Sequence, residues 1–366
     1  MVNNRCIVNI MCLTVSAMLG GCIDPYTPEV QRQPGRLLVV DGAINSKGIS
    51  VVRLSYAMAV SQKGNPVPET KARVFIEEAE GARYPLSETS VGTYTSAALQ
   101  LAAGKQVRLH FTTATQRDYI SDYTTVKDTP PIDSISWAIR NRKLNVYANT
   151  HDASNLSQYF RWTYVETWEF TSAFQSVIEY KSGSIVPRRD DVYHCWGTEA
   201  PSTIVLGSTT RLAQNRVSEQ VISQLPDASP KVRIQYSILV KQYALTPEEY
   251  AYWEQMRKNT ESIGSLFDAL PSQLTGNVHC QTEPAEQVLG FVGAQSVEEK
   301  RIFIERQQLP ADWPYVTGYE GCFLDTIPRK NQQAPPLVSI LEFFRAGNAV
   351  PVTYGGGYIC FLPLIV

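Results

Sequence analysis

The sequence has few histidines, no marked excess of charge of either sign and few long hydrophobic segments, and each shortage excludes a class of function. Only 4 histidines occur among 366 residues, so candidates for acid–base catalysis or transition-metal binding are few. The 33 lysines and arginines face 35 acidic residues, which leaves no basic excess to neutralise nucleic-acid phosphates. The composition therefore argues against a nucleic-acid-binding protein.

Motifs that mark common enzyme families are also missing. The sequence contains no Gly-x-Ser-x-Gly elbow, phosphate-binding loop, glycine-rich dinucleotide turn or His-Glu-x-x-His segment. Acidic doublets such as Asp190-Asp191 and Glu77-Glu78 are typical of solvated turns rather than of glycan hydrolysis. We therefore predict a non-enzymatic protein without catalytic residues, cofactor or metal; a hydrolase acting on glycans or peptides is the less favoured alternative.

A short apolar run lies at the N-terminus. It extends from Cys6 to Gly21, which is shorter than the ~20 residues that span a bilayer. It ends in Leu19-Gly20-Gly21-Cys22, the spacing of a bacterial lipobox. We predict a signal peptide over residues 1–21 and lipidation of Cys22, which anchors the mature chain in a lipid bilayer. The alternative is an ordinary signal peptide in which Cys22 is a bystander.

A polar, proline-containing segment follows the predicted anchor. Within residues 22–35, Pro25, Pro28 and Pro34 prevent a helix or a central strand. An extended chain of this kind is typical of a semi-rigid spacer. We predict a tether that holds the folded part of the protein away from the bilayer.

Residues 36–129 show the alternation of apolar and polar side chains that is typical of half-buried β-strands. Turn-forming segments such as Glu80-Gly81 separate the strands. About seven short strands at this spacing predict an immunoglobulin-like or prealbumin-like β-sandwich. The clearest apolar strand faces are Val52, Leu54 and Tyr56; Ala72, Val74 and Ile76; and Val107, Leu109 and Phe111.

Two consecutive prolines interrupt this pattern. Asp128-Thr129-Pro130-Pro131 forces an extended chain that lacks backbone donors, and we place a domain boundary after Thr129. Residues 130–366 form a second, larger domain that we expect to be sandwich-like, so the predicted fold class is mainly β. Its strands are predicted near 134–140, 144–150, 158–170, 203–206 and 232–243.

One helix is marked in the second domain. Thr246 is a predicted N-cap, Pro247 occupies the first helical position, Glu249 the capping-box position, and Gly264 supplies a stop. We interpret its apolar stripe as facing a sheet in the core, with a partner-binding face as the alternative. The stripe consists of Tyr250, Trp253, Met256 and Ile263.

Several ordered segments resemble one protein family. They are Leu38-Val39-Val40-Asp41-Gly42, Pro130-Pro131-Ile132-Asp133-Ser134, Tyr159-Phe160-Arg161-Trp162, Cys195-Trp196, and the segments from Ser237 to Cys280, which include Gly264-Ser265-Leu266-Phe267-Asp268 and Gly276-Asn277-Val278-His279-Cys280. On these motifs the chain is similar to the domain of unknown function 4249 family, a lipoprotein family of the Bacteroidota. The biochemical role of that family is unassigned.

The resemblance implies a location and a partner. It implies an outer-membrane lipoprotein, facing the cell exterior, of the kind encoded beside TonB-dependent transporters of the nutrient-uptake type. We therefore expect an accessory protein that captures or admits a nutrient ligand for such a transporter. A structural or adhesion-type interaction lipoprotein is the alternative function.

Removal of the signal peptide and lipidation of Cys22 leave four cysteines in the body of the exported chain: Cys195, Cys280, Cys322 and Cys360. In an exported protein, disulfides between them are the first expectation. Their three possible pairings stay open, with Cys195–Cys280 and Cys322–Cys360 favoured. The alternative is a zinc site built from His194-Cys195 and His279-Cys280. Adjacent strand residues point to opposite faces, and no Cys-x-x-Cys spacing occurs, so disulfides are preferred.

Two short segments match the acceptor pattern for O-glycosylation of exported proteins in this bacterial group. They are Asp133-Ser134-Ile135 and Asp325-Thr326-Ile327. Ser134 and Thr326 are therefore candidate modification sites.

Aromatic residues are concentrated in one predicted strand. Such rings either pack in a sandwich core or stack on sugars and peptides, and we interpret them as core. Alternation places Tyr159 on the face opposite to the others. The set is Tyr159, Trp162, Tyr164, Trp168 and Phe170.

Overall fold

The computed structural model describes residues 37–58, 63–172, 175, 178–181, 184–261, 274, 276–320, 352–354 and 357–359. Within these ranges the fold is mainly β, as predicted. Several predicted features lie outside the described residues: the signal peptide, Cys22 and the tether, Ile263 and Gly264, Cys322, Thr326 and Cys360.

Strands dominate the chain from its first described residues. In the first part they are β1 (Leu38–Asn45), β2 (Ile49–Tyr56), β3 (Val67–Pro68), β4 (Arg73–Glu78), β5 (Arg83–Ser90), β6 (Thr93–Ala98), β7 (Gln106–Thr112), β8 (Asp118–Ser121) and β9 (Thr124–Thr125). There follow β10 (Ile132–Arg140), β11 (Lys143–His151), β12 (Tyr159–Thr171), β13 (Ile178–Lys181), β14 (Ser184–Pro187), β15 (His194–Glu199), β16 (Val205–Ser208), β17 (Arg216–Pro226) and β18 (Gln235–Ala244).

The remaining elements include the helix α1 (Pro247–Glu261) and two 3-10 turns (Pro230–Val232 and Arg306–Gln308). The last strands are β19 (Val278–Cys280), β20 (Val288–Leu289), β21 (Ala294–Gln295), β22 (Val297–Glu305), β23 (Val352–Tyr354) and β24 (Gly357–Ile359). β13 with β14 and β23 with β24 form separate two-stranded pairs.

The first unit is a sheet in the order β19-β8-β7-β4-β5-β6-β2-β1-β20, to which β3, β9 and β21 attach. Strands from both ends of this order contribute to one core, which contains Leu38 of β1 and Tyr119 of β8. The sheet therefore folds back on itself, as a sandwich does. The predicted core positions Val52, Leu54, Val74, Ile76, Val107, Leu109 and Phe111 are all buried there.

The chain returns to this first sheet late in the sequence. β19 pairs antiparallel with β8, while β20 and β21 pair parallel with β1. Val278 and Val292 lie in the first core. Strands within residues 278–295, which belong to the predicted second domain, therefore pair with the first sheet. Strands of two or three residues carry too little alternation to be recognised from sequence.

The second unit packs two sheets around a separate core. One sheet has the order β10-β11-β17, and the other has the order β15-β12-β18-β22, with β16 beside β12. Trp162 and Tyr164 of β12 are buried between them together with Tyr236 and Leu144, and Trp168 packs against the same core. The core interpretation of the aromatic strand is correct for these residues.

The predicted boundary is a buried junction between the two cores. The Thr129 N–H donates to Ser296 Oγ at 2.8 Å, and the Thr129 hydroxyl donates to the Ser296 carbonyl at 2.5 Å. Ala244 N–H donates to Thr129 Oγ1 at 3.0 Å. Gln242 Nε2 donates to the Pro130 carbonyl at 2.7 Å. These hydrogen bonds attach the junction to β18 and to the residue after β21.

The helix α1 begins as predicted, with Thr246 Oγ1 accepting from the Glu249 N–H at 3.2 Å. Its aromatic stripe does not lie in a core: Tyr250, Trp253 and Met256 are half-buried and belong to neither core. The helix does face a sheet as interpreted, since the rings of Tyr250 and of Tyr159 on β12 lie 4.8 Å apart. The placement in the core is corrected, because part of this helix face borders a cleft. Within the described ranges, no helix combines the length and apolar character that a membrane crossing requires.

Candidate ligand-binding cleft

A cleft of about 490 Å³ lies between α1 and an edge of the first sheet. Its walls come from β1, β12, β18, α1 and the segment from Leu289 to Gln295. Ligand sites usually have volumes of roughly 300–1,000 Å³ and mostly apolar walls with a few polar groups. This cleft has both properties, since Tyr252, Phe291 and Met256 lie beside Arg161.

The late return of the chain creates one wall of the cleft. β20 pairs with Leu38 and Val39 at the start of β1, and β21 pairs with its last two residues. Between these two pairings the cleft opens over residues 39–43 of β1. Gly290 makes the tight approach possible: its φ is 122°, and a Cβ there would lie 2.0 Å from the Val40 carbonyl oxygen.

Arg161 provides a positive charge in the cleft. It lies on β12 between the buried Phe160 and Trp162, so strand alternation directs it away from the second core. Its Cζ lies 3.6 Å from the ring centroid of Trp253 and 5.6 Å from that of Tyr243. Among the described residues, no hydrogen bond or ion pair engages its guanidinium. Burial lowers the pKa of Arg161, but a guanidinium stays charged in proteins and keeps five N–H donors.

Glu249, on α1, is a buried acid that also lines the cleft and is 2% exposed. Burial raises the pKa of its carboxyl to about 7, against the opposing charge of Arg161. Its Oε1 accepts weakly from Trp253 Nε1 at 3.4 Å and from Gln295 Nε2 at 3.5 Å. Among the described residues, the Oε2 of Glu249 and the Oε1 of Gln295 have no hydrogen-bond partner. Buried polar atoms are rarely left unpaired, so these two oxygens mark a position for a hydrogen-bond donor.

Aromatic rings form the apolar wall. The rings of Tyr252 and Phe291 are 5.3 Å apart, and those of Tyr252 and Trp253 are 5.6 Å apart in an edge-on arrangement. Burial raises the pKa of Tyr252 to about 12, so its hydroxyl is neutral at physiological pH. The wall therefore presents ring faces and an uncharged hydroxyl to a ligand.

The two predicted cysteine partners that the structure describes do not form a disulfide. Cys195 and Cys280 are both free thiols. Cys195 lies on β15 in the second unit, whereas Cys280 lies on β19 and is buried in the first core. The favoured Cys195–Cys280 pairing is thus corrected, because the late return of the chain places the two residues in different sheets.

The zinc-site alternative concerns the histidines. Among the described residues, no group of three or more histidine, cysteine, aspartate or glutamate side chains could hold a metal ion. Burial and the nearby Asp191 raise the pKa of Cys195, which opposes an activated thiolate beside His194. Each histidine instead contacts a carboxylate: His110 with Glu77 and Asp118, His151 with Asp133, His194 with Asp191 and His279 with Asp122.

Ser134, a candidate modification site, lies on β10 and is exposed. Its Oγ accepts from Asn149 Nδ2 at 3.1 Å on the neighbouring strand. The side chain is therefore accessible at the surface.

The cleft residues were not predicted as a site from the sequence. From the sequence, Arg161 is recognisable only as the polar neighbour of Trp162, and Glu249 only as a capping-box acid. The available signal was the alternation of β12, which places Arg161 opposite the core, together with the aromatic stripe of α1.

Solved structures match this chain only at low identity and low TM-score. A two-domain fibronectin type III segment of chicken tenascin is 12% identical, with a TM-score of 0.14, over 56% of this chain and 88% of that chain. The adhesin InvE of Yersinia pseudotuberculosis is 12% identical, with a TM-score of 0.16, over 57% of this chain and 54% of that chain. A pullulanase from Anoxybacillus sp. LM18-11 is 7% identical, with a TM-score of 0.16, over 53% of this chain and 26% of that chain.

Sequence comparison identifies the family. Comparison with curated protein sequences finds no match. The family model described as "Domain of unknown function (DUF4249)" matches residues 23–301. This match includes β1 through most of β22, and with it the residues that line the cleft. The chain belongs to the DUF4249 family.

Proposed function

We propose that the protein is a lipid-anchored, non-enzymatic binding protein that captures a small nutrient in the cleft and passes it to a TonB-dependent transporter of the outer membrane. The observation that carries this proposal is Arg161, a half-buried cation that lines the cleft without a hydrogen-bond or ion-pair partner among the described residues. A charge in that position gains a partner when a ligand enters.

The physical properties of the cleft suit binding rather than chemistry. Stacking on Trp253 at 3.6 Å fixes the plane of the Arg161 guanidinium before a ligand arrives. Preorganisation of this kind reduces the entropy lost on binding. The two unpaired acceptors, on Glu249 and Gln295, add a second point of recognition.

The cleft function is tested by thermal shift on the mature chain. L-phenylalanine, the dipeptide Gly-L-Phe, cellobiose and adenosine serve as probes. We expect at least one probe to raise the Tm of the wild type but not that of Trp253→Ala. Arg211→Gln, at an exposed arginine outside the cleft, is the matched control and keeps the response. A panel in which every stabilising probe acts equally on Trp253→Ala overturns the cleft as the binding site.

The proposed location at the outer membrane depends on the N-terminal residues. Lipidation of Cys22 would retain the protein at the outer membrane, and the segment 22–35 would extend the folded part outward. We expect the full-length protein to fractionate with outer membranes of a Bacteroidota host and to be digested by protease added to intact cells. Cys22→Ser is expected to leave the membrane fraction; its retention there would contradict lipid anchoring.

The proposed partner is tested by purification from detergent-solubilised outer membranes. An epitope-tagged wild-type protein is expected to enrich a TonB-dependent β-barrel transporter. The matched sample is the same strain carrying the untagged protein. Absence of any enriched transporter overturns the partnership, while the thermal-shift result on the cleft stands by itself.

A further inference from the structure

The charged groups of the cleft limit the ligands that fit. Arg161 is the cation among the lining residues, whereas Glu249 and the exposed Asp41 line the same space as acids. A ligand with two or more negative charges, such as a phosphate ester, would exceed the single positive charge of Arg161 and meet repulsion from Asp41. A neutral sugar would leave the guanidinium without a charged partner. A singly charged anion matches the one charge of Arg161, so it meets the least repulsion that still gives the guanidinium a charged partner.

A carboxylate is the singly charged anion that best matches a guanidinium. The planar fork of Arg161 can donate two parallel N–H···O bonds to the two oxygens of one carboxylate. The guanidinium stacks on Trp253, so one of its faces is covered and its edge remains for the ligand. Because no described residue accepts from this edge, a ligand carboxylate would not have to displace a protein acceptor.

The unpaired acceptors call for a donor on the same ligand. Within the part of the chain that the structure describes, Glu249 Oε2 and Gln295 Oε1 are buried without hydrogen-bond partners, and both residues line the cleft and are 2% exposed. An N–H group supplies what each lacks. A carboxylate and an N–H group joined through one carbon atom are the defining chemistry of a free amino acid and of the last residue of a peptide.

The apolar wall accommodates a side chain. Tyr252, Phe291 and Met256 offer ring and thioether surfaces next to the polar groups. A cleft of about 490 Å³ is in the range that holds whole small ligands. An apolar or aromatic side chain would bury its surface against these rings.

We propose that the cleft binds the carboxylate end of an amino acid or short peptide, with Arg161 holding the carboxylate, Glu249 and Gln295 accepting from the adjacent N–H, and the aromatic wall receiving an apolar side chain. This assignment rests on the proposed binding function and names its substrate class. The free amino acid and the peptide end share the recognised chemistry, and the experiment distinguishes them.

The test is calorimetric titration of the mature chain with four probes. L-phenylalanine and Gly-L-Phe carry both polar groups, phenethylamine lacks the carboxylate, and 3-phenylpropionate lacks the amine. We expect one or both complete probes to bind, and each incomplete probe to bind roughly tenfold or more weakly. The tighter of the two complete probes identifies the source, free amino acid or peptide end.

Variants assign each group to its residue. Arg161→Gln is expected to lower the affinity for the complete probe by roughly tenfold or more. It should also remove the affinity advantage of that probe over phenethylamine. Glu249→Gln is expected to reduce the affinity advantage of the complete probe over 3-phenylpropionate, while leaving the affinity for 3-phenylpropionate itself unchanged. Arg161→Lys keeps the charge but loses the planar fork, so an intermediate affinity is expected. Arg211→Gln is the control, and unfolding curves establish that each variant is folded.

Several outcomes overturn the assignment. These are phenethylamine binding as tightly as L-phenylalanine and Gly-L-Phe, an unchanged affinity in folded Arg161→Gln, or no binding of either complete probe. A different probe, such as cellobiose, whose Tm effect depends on Trp253 would overturn the amino-carboxylate class and leave the proposed binding function standing. If neither the calorimetric titration nor the thermal-shift panel shows binding in the cleft, the amino-carboxylate class and the proposed binding function are overturned together.

Discussion

The carboxyl group of Glu249 lies directly against Gly293: a Cβ at position 293 would stand 2.2 Å from Glu249 Oε2. The Gly293 carbonyl also accepts from the Ile44 N–H at 2.8 Å, which attaches this backbone to β1. The niche for the acid therefore exists because residue 293 has no side chain. Here the carboxyl of Glu249 on α1 fits against the backbone of the segment that returns to β1.

Gly293→Ala is expected to lower the free energy of unfolding by about 1–3 kcal/mol, because the added methyl group displaces the buried carboxyl. Urea unfolding measures the loss. In a double-mutant cycle, Glu249→Ala makes room for the methyl group, so the cost of Gly293→Ala should fall in that background. Strictly additive effects of the two substitutions would contradict the contact.

Ionisation of Glu249 should make part of the stability depend on pH. Burial raises the pKa of this carboxyl to about 7 in the folded state, from its ordinary value of 4.5. The folded state therefore holds a proton that the unfolded state has lost between these values, and stability falls as pH rises through that window. The full loss is roughly 3 kcal/mol.

Glu249→Gln isolates this effect from other titrating groups. The variant stays neutral, so its free energy of unfolding should rise relative to that of the wild type between pH 4.5 and pH 7, then stay level above pH 8. Paired urea titrations across this range measure the difference. A difference that does not vary with pH would show that the carboxyl is not held protonated.

The elements of this fold could be predicted where the pattern is local. Val107, Leu109 and Phe111 alternate along β7, and Thr246 precedes a proline at the start of α1; both patterns act over a few residues. Local side-chain periodicity and capping chemistry determine such features, so the strand faces and the N-cap are where the sequence placed them.

The cleft could not be predicted because it depends on contacts between distant residues. Glu249 has the spacing of a capping-box acid, yet its carboxyl is buried against Gly293, a contact that requires residues 288–295 to return to β1. β20 and β21 have two residues each, which is too short for a periodic signal. The contact of the Arg161 guanidinium with Trp253 likewise forms only when α1 packs over β12.

The thiols of Cys195 and Cys280 should both be reduced in the folded protein. Alkylation of the denatured, unreduced chain is expected to label both residues, and peptide mass spectrometry reads each separately. In the native protein Cys195 should react faster, because it is only partly buried, whereas Cys280 is 2% exposed and its sulfur accepts from the Glu283 N–H at 3.3 Å. A disulfide-linked peptide containing either residue would contradict the free-thiol state.

Removal of one partner from an ion pair with a buried carboxylate should strongly destabilise the second unit. Lys231 Nζ lies 2.5 Å from Glu166 Oε2, and the Glu166 side chain is 3% exposed. The other oxygen, Oε1, accepts from the Tyr236 hydroxyl at 2.7 Å and from Ser223 Oγ at 3.1 Å. These neutral donors stabilise the carboxylate but cannot neutralise it, so removal of the ammonium leaves a buried charge uncompensated.

Lys231→Met is accordingly expected to lower the free energy of unfolding by about 3–5 kcal/mol. Lys241→Met is the matched control in the same unit. Lys241 pairs with Glu299 at 2.7 Å, but both side chains are substantially exposed, so this substitution should cost about 1 kcal/mol or less. Water solvates Glu299 when its partner is removed, whereas Glu166 is excluded from solvent. Equal losses for the two variants in urea unfolding would show that burial does not strengthen the Lys231–Glu166 pair.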